Sequence, residues 1–273
     1  NHLGHYAVTG PAIETVFNHV TADRPGNLAA FVSASGSAGT LGAGDYLKDE
    51  HGARIVGVEA LECPTMLHNG FGDHNIQGIG DKHIPLIHNV TNTDLIVGVS
   101  DNSTNRLDVL FNTPAGKQVL AERGVAPELV NTLVDMGYSS ICNTLAAITA
   151  AKQWGLGSDD VIMSVATDGS DLYNSDRERI MATHFAGGFD ETHAAETFDT
   201  HLVGLPTEAM EMGPAERNRV FNLGYFTWVE QQGVDIPDFE IRREQSWWNS
   251  LRPLVDQWDG MIEEFNAATG VTI

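Results

Sequence analysis

Residues 33–48 read SASGSAGTLGAGDYLK. Gly36, Gly39, Gly42 and Gly44 are interspersed there with small hydroxyl side chains. The preceding segment, NLAAFVSAS (27–35), is an apolar run ending in small residues, the pattern of a short strand. The following segment is helix-forming to about His51. A strand, a glycine-rich loop and a helix in that order bring successive backbone N–H groups to a helix N-terminus. Such groups converge on an anion, with the partial positive charge of the helix end behind them. Gly36, Ser37, Ala38, Gly39 and Thr40 are therefore candidates for holding a phosphate group, the hydroxyls of Ser37 and Thr40 adding donors. A tight strand-to-helix turn without any ligand uses the same residue types. The loop is not a P-loop, because no Gly-Lys-[Ser/Thr] closes it, and it lacks the spacing of a dinucleotide fingerprint.

Outward from this unit the pattern repeats. ARIVGVEAL (53–61), DLIVGVSD (94–101) and DVIMSVATDG (160–169) read as three more strands. The first of them is apolar almost throughout, as a strand covered on both faces should be. Residues 114–124, 126–136 and 138–155 read as helices, the last ending at Gly155. Near the start, Gly10-Pro11 reads as a turn into a helix with Pro11 in its first position. Strands separated by helices predict an α/β fold, a parallel sheet flanked by helices, over residues 1–176. From Arg177 onward the text turns acidic and aromatic, with no further clear strand. Residues 177–273 are expected to form a helical acidic extension serving packing or a partner contact. Its end, WWNSLRPLVDQWDGMIEEF, sets Trp248, Leu251, Val255, Trp258, Ile262 and Phe265 three and four apart, as in one amphipathic helix.

Composition narrows the classes of function. The 273 residues carry 15 basic and 37 acidic side chains, a formal net charge of −22, which argues against binding to nucleic acid. No apolar run is long enough for a membrane span, and residues 1–20 do not have the form of a signal peptide. Cys63 and Cys142 are expected to be free and buried, in keeping with a cytoplasmic protein. The eleven histidines show neither HExxH nor CxxC company, so no metal site is expected. The chain enters ordered-looking sequence directly at Asn1, which raises the expectation that a preceding segment belongs to the same fold.

Seven segments, taken in order, resemble the fold-type II pyridoxal-phosphate enzymes of the cysteine synthase and cystathionine β-synthase group. HYAVTGPAIETVF resembles that family's HYxTTGPEI, and FVSASGSAGTLGAGDYLK its cofactor-phosphate loop, FVxGxGTGGTxxGxGxYLK. IVGVEALECP is similar to VxGVEPxxSP, NIQGIGDKHIP to KIQGIGxGFIP, and VGVSD to the strand that follows. MGYSSICNTLAAITAAK is similar to xGISSGAxxAAAxxxAK, and VIMSVATDGSDLYNSD to VVxIxPDSGxRYLSx. The resemblance implies that Gly36 to Thr40 hold the phosphate of pyridoxal 5'-phosphate. It implies that Gly78, Ile79 and Gly80 line the substrate side of the ring, and that Ser139 hydrogen-bonds the pyridine nitrogen. A neutral serine there leaves that nitrogen unprotonated and favours β-elimination over transamination. For Ser139 the alternative is a helix N-cap. Ala38 and Ile141 stand where the family has glycine, and His83 where it has an aromatic residue.

The family's Schiff-base lysine lies in an N-terminal half that has no counterpart in these residues. Of Lys48, Lys82, Lys117 and Lys152, only Lys82 falls near a presumed active-site loop. The resemblance therefore implies no catalytic residue in this chain. A second polypeptide would carry the N-terminal half and the lysine, and the pair would dimerise further. The implied activity is that of a lyase, ammonia-lyase- or cysteine-synthase-like, active only as a complex. It would act by β-elimination or β-replacement, deamination included, on a small β-substituted amino acid. The alternatives are a non-catalytic assembly or regulatory subunit, and a phosphate- or nucleotide-binding α/β protein.

Overall fold

Three near-continuous apolar runs lie at the centre of one sheet in the computed structural model, which describes residues 1–80 and 82–271. They form β1 (Asn27–Ala34), β2 (Arg54–Ala60) and β3 (Leu95–Val99), joined by β4 (Asp160–Ser164) and β5 (Thr207–Glu211). The strand order is β4-β1-β2-β3-β5. The first four strands are parallel, with Phe31 opposite Ile55 and Gly57 opposite Ile96. Phe31, Val56, Val58, Leu95 and Val97 are fully buried, because helices cover both faces. Alternate side chains still part to opposite sides. Phe31 joins Ile13, Phe17 and Leu47 beneath the helices Gly10–Val20 and Leu41–His51. Val32 and Val58 join Leu107, Ile141 and Leu145 from the helices Asp101–Asn112 and Tyr138–Trp154.

Three expectations are corrected. The tail does contain a strand: β5 runs antiparallel to β3, with Leu95 opposite Glu211 and Val99 opposite Thr207. Its alternation TEAME is polar enough to be missed, since an edge strand needs only one ladder and half a buried face. Second, the helix Gly10–Val20 carries Pro11 in its first turn as expected, but no non-helical turn precedes it. The helical run begins at His2, passes through a wide turn at His5–Thr9 and continues as Gly10–Val20. The wide turn accommodates the N–H that Pro11 lacks. Gly10 is small because a Cβ there would sit 2.7 Å from the Tyr46 side chain. Third, the terminal amphipathic segment is two helices, Gln245–Leu251 and Leu254–Thr269, broken at Pro253. Trp248 is buried and donates its indole N–H to the Arg242 carbonyl, whereas Trp258, Ile262 and Phe265 are exposed.

Charged junctions tie the layers together. Asp94, just ahead of β3, accepts from Lys48 Nζ (2.8 Å), the Ile55 backbone N–H (2.8 Å) and Arg217 Nη2 (3.2 Å). Asp108 is fully buried and accepts from Arg177 Nε (2.8 Å) and Nη2 (2.9 Å). Arg177 also donates to the Ser170 carbonyl, so one guanidinium joins three segments. Cys63 and Cys142 are buried and unbridged. Among the described residues no helix is long and apolar enough to cross a membrane.

Removing one partner of a buried ion pair strands the other charge. Arg177→Met should therefore lower unfolding free energy by about 3 kcal/mol in urea titrations. Combining it with Asp108→Asn should recover part of that loss. A double variant no more stable than Arg177→Met alone would show that the cost does not come from the stranded carboxylate.

Candidate active site

The C-terminal ends of the parallel strands are where open α/β sheets bind ligands, and the candidate residues collect there. β1 runs out through Ser35, whose N–H donates to the Val58 carbonyl (2.8 Å). The chain then turns through Gly36–Thr40 into the helix Leu41–His51. Ala38 sits in the left-handed region at φ +63°, and Thr40 returns to the right-handed one. Among the described residues, no acceptor meets the backbone N–H groups of Gly36, Ser37, Ala38, Gly39 or Thr40. Five consecutive unmet donors beside a helix N-terminus make a cradle suited to a phosphate.

The glycines of the loop have separate reasons. A Cβ on Gly39 would lie 2.6 Å from the side-chain amide of Asn1, whose Nδ2 donates to Ser37 Oγ (3.1 Å). A Cβ on Gly42 would strike the His2 carbonyl, and one on Gly44 would press on Phe31 and Ile55. Much of the bare backbone thus serves the packing of the first residues and of β1 and β2. Gly36 lies against Gly78, where an added Cβ would be 3.3 Å from the Gly78 carbonyl oxygen.

Gly78, Ile79 and Gly80 are brought to this loop. The Gly80 N–H donates to the Ser35 carbonyl (2.9 Å), and Ile79 is buried. Gly78 and Gly80 take φ values of +77° and +85°, which favour glycine, and the His74 ring occupies the space a Cβ on Gly80 would need. Three carboxylates fasten the surrounding segment. Glu59 accepts from the N–H groups of Met66 (2.9 Å) and Leu67 (2.8 Å). Asp101 accepts from those of Asn75 (2.5 Å) and Ile76 (3.1 Å). Glu62 accepts from Ser100 Oγ (2.7 Å) and the Asp101 N–H (3.0 Å). Burial pushes the Glu59 carboxyl up to about 7 against the pull of its two N–H donors, and pushes Asp101 up as well.

Ser139 is not an N-cap. Gly137 takes that position in extended conformation, donating its N–H to the Asp168 carbonyl (2.7 Å), and Tyr138 opens the helix. The Ser139 hydroxyl lies 3.3 Å from that of Thr167. One turn on, Asn143 accepts from the Ala34 N–H (2.7 Å) and donates to the Val165 carbonyl (3.0 Å). Among the described residues no hydrogen bond joins Ser139 to the glycine loop directly, and Asn143 provides the link. Asn143, Thr167, Glu59, Asp101 and Asn1 escaped the sequence reading. A lone amide in the apolar helix Tyr138–Trp154 and a lone carboxylate in IVGVEAL are the signals that point to the first and third.

The lysines lie elsewhere or outside. Lys48 is paired to Asp94; Lys82 is exposed, 3.4 Å from Asp73 and stacked over Phe71. Lys152 is exposed and Lys117 half-buried on their helices. The histidines disperse: His68 pairs with Glu208, His83 packs on Trp228 and His88 bonds Thr93.

Two measurements follow from this geometry. Ala38→Gly relieves the left-handed strain but removes a methyl buried against Leu41 and Ile55 and frees the unfolded chain, so stability should change by less than about 1 kcal/mol. A loss of more than about 2 kcal/mol would mean that the residue does not hold φ above zero in solution. For Glu59, a carboxyl that keeps its proton from its ordinary 4.5 up to about 7 makes the folded state lose stability as pH rises through that window. Glu59→Gln does not titrate. Its deficit against wild type should be largest near pH 5 and narrow by up to about 3 kcal/mol by pH 8. A deficit independent of pH would show that Glu59 titrates as an ordinary carboxylate.

No protein-family model matches the chain. Cysteine synthase B of Campylobacter jejuni is 32% identical over 155 residues, 56% of this chain and 45% of that protein. Among solved structures, a hydrogen sulfide-producing enzyme from Fusobacterium nucleatum shares the fold with a TM-score of 0.51 at 22% identity, over 78% of this chain and 55% of the other. Cysteine synthase from Entamoeba histolytica does so with a TM-score of 0.50 at 23% identity, over 73% and 51%. The chain spans about half the length of the relatives it matches. Over the matched residues the chain is similar in sequence to cysteine synthase B, and its sheet and flanking helices have the fold of the two solved enzymes.

Proposed function

We propose that this chain forms the phosphate cradle and ring-nitrogen side of a pyridoxal 5'-phosphate site in a lyase acting by β-elimination or β-replacement, deamination included, on a small β-substituted amino acid. The observation that carries the reading is the run of five unmet amides from Gly36 to Thr40 at the start of the helix Leu41–His51. The residues fit the group. The amides, with the hydroxyls of Ser37 and Thr40, would take the phosphate. Ser139, a neutral hydroxyl backed by that of Thr167, would stand at the pyridine nitrogen. Gly78, Ile79 and Gly80 would line the substrate side, their missing or buried side chains leaving room. When bound, the cofactor supplies an electron sink for charge developing at the substrate Cα.

The chain's own residues bind and orient. Asn143 holds the ends of β1 and β4 at fixed spacing, and Glu59 and Asp101 fix the segment leading to Gly80. A lysine that moves a proton at Cα needs a desolvated amine, and none of the four lysines of this chain offers one. That lysine is assigned to protein outside these 273 residues, a second polypeptide being the arrangement proposed. The exposed Trp258, Met261, Ile262 and Phe265 on the helix Leu254–Thr269 suit the part-interface role proposed for residues 177–273.

Pyridoxine 5'-phosphate, which has the ring and phosphate but no aldehyde, tests the cradle without a lysine. In equilibrium dialysis the wild-type chain should bind it saturably, with inorganic phosphate competing. Gly39→Asp should weaken binding at least tenfold by charge and bulk, Ser139→Ala several-fold, and Lys82→Ala not at all. Equal affinity in wild type and Gly39→Asp would overturn the cradle. Tighter binding of adenosine monophosphate than of pyridoxine phosphate would favour a nucleotide-binding protein, and a loss in Lys82→Ala would bring Lys82 into the site.

A further inference from the structure

Behind the first turns of the helix Tyr138–Trp154, away from the strand ends, lies a cavity of about 170 Å³. Leu107 and Phe111 of the helix Asp101–Asn112 form one wall, and Ile141 and Leu145 form the floor. Phe198 and Leu202 close the far side. The mouth lies beside the short helix Pro127–Thr132, where Val125 is partly exposed and Leu129 is 53% exposed. The exposure of these two lining residues leaves the space open on that side.

The wall is apolar throughout. The one hydroxyl bordering it, that of Thr144, is committed to the Ser140 carbonyl (2.9 Å), so the cavity offers no free hydrogen-bonding group. Water needs two to four polar partners to be held in a cavity, and an apolar space of roughly 150 Å³ takes up benzene or xenon instead. We propose that this cavity is a binding site for a small uncharged aromatic or branched-aliphatic molecule of about benzene size. Charged or strongly hydrogen-bonding molecules are rejected there, since a desolvated polar group would find no partner. The site is separate from the glycine loop, and its occupation needs neither a cofactor nor a lysine.

Benzene and benzoate share a ring and differ in charge. With the whole chain, benzene near its solubility limit should raise the midpoint of thermal unfolding by about 2–5 °C in a saturable way, as a ligand of the folded state alone must. Benzoate should leave the midpoint unchanged. Val125→Phe fills the mouth from a partly exposed position, and Leu129→Trp plugs it from a half-exposed one; both should fold and abolish the benzene shift. In the wild-type chain, benzene protons should show nuclear Overhauser contacts to the methyl groups of Ile141 and Leu145. The proposal is overturned by the absence of a saturable shift, by benzoate acting like benzene, by a shift that survives both variants, or by Overhauser contacts to other methyl groups only.

Discussion

One side-chain amide holds the candidate site together. Asn143 accepts from the last amide of β1 and donates to the carbonyl just beyond β4, so two strand ends are pinned by a group that belongs to neither. Beyond that clamp β1 becomes the glycine loop, and β4 leads to Thr167. The helix that carries Asn143 also carries Ser139 one turn earlier. The distance between the glycine loop and Ser139, the proposed phosphate cradle and ring-nitrogen partner, therefore rests in part on that residue's two hydrogen bonds. Both ends are part-buried, where an unmatched amide or carbonyl costs about 1–3 kcal/mol, so the clamp resists being opened.

The proposed cradle would work against the charge of its own chain. With a net charge of −22, the surface repels a phosphate at long range. Salt screens that repulsion over roughly 8–10 Å. At contact distance the five amides and the helix end would dominate, since no lysine or arginine stands among Gly36–Thr40. The acidic surface thus bears on solubility and association, while selection of an anion depends on backbone geometry. The same logic explains the carboxylates: Glu59, Glu62 and Asp101 are spent on backbone amides of the loops, where they position the chain.

The parallel sheet was legible because its strands are buried on both faces and so write long apolar runs. The glycine loop was legible because few residue types tolerate such turns. β5 was hidden by its polar alternation, and the helical run His2–Thr9 by the turn that a Gly-Pro pair usually marks. Pro253 was visible in the sequence, but the apolar spacing on either side of it outweighed the break. The glycines tell a mixed story: Gly78 and Gly80 hold left-handed backbone, whereas Gly39 and Gly42 make room for Asn1 and His2. No local pattern separates those two uses. Asn143 stayed invisible because its partners lie more than twenty residues away, at the ends of two strands.

The central claim is that the amides of residues 36–40 form an anion site. Nitrogen-15 NMR of the chain titrated with inorganic phosphate tests it most directly. The account predicts saturable downfield shifts of the Gly36, Ser37, Ala38, Gly39 and Thr40 amide protons, with little change elsewhere. Amides there that stay still while others move, or a spectrum unchanged at high phosphate, would contradict it.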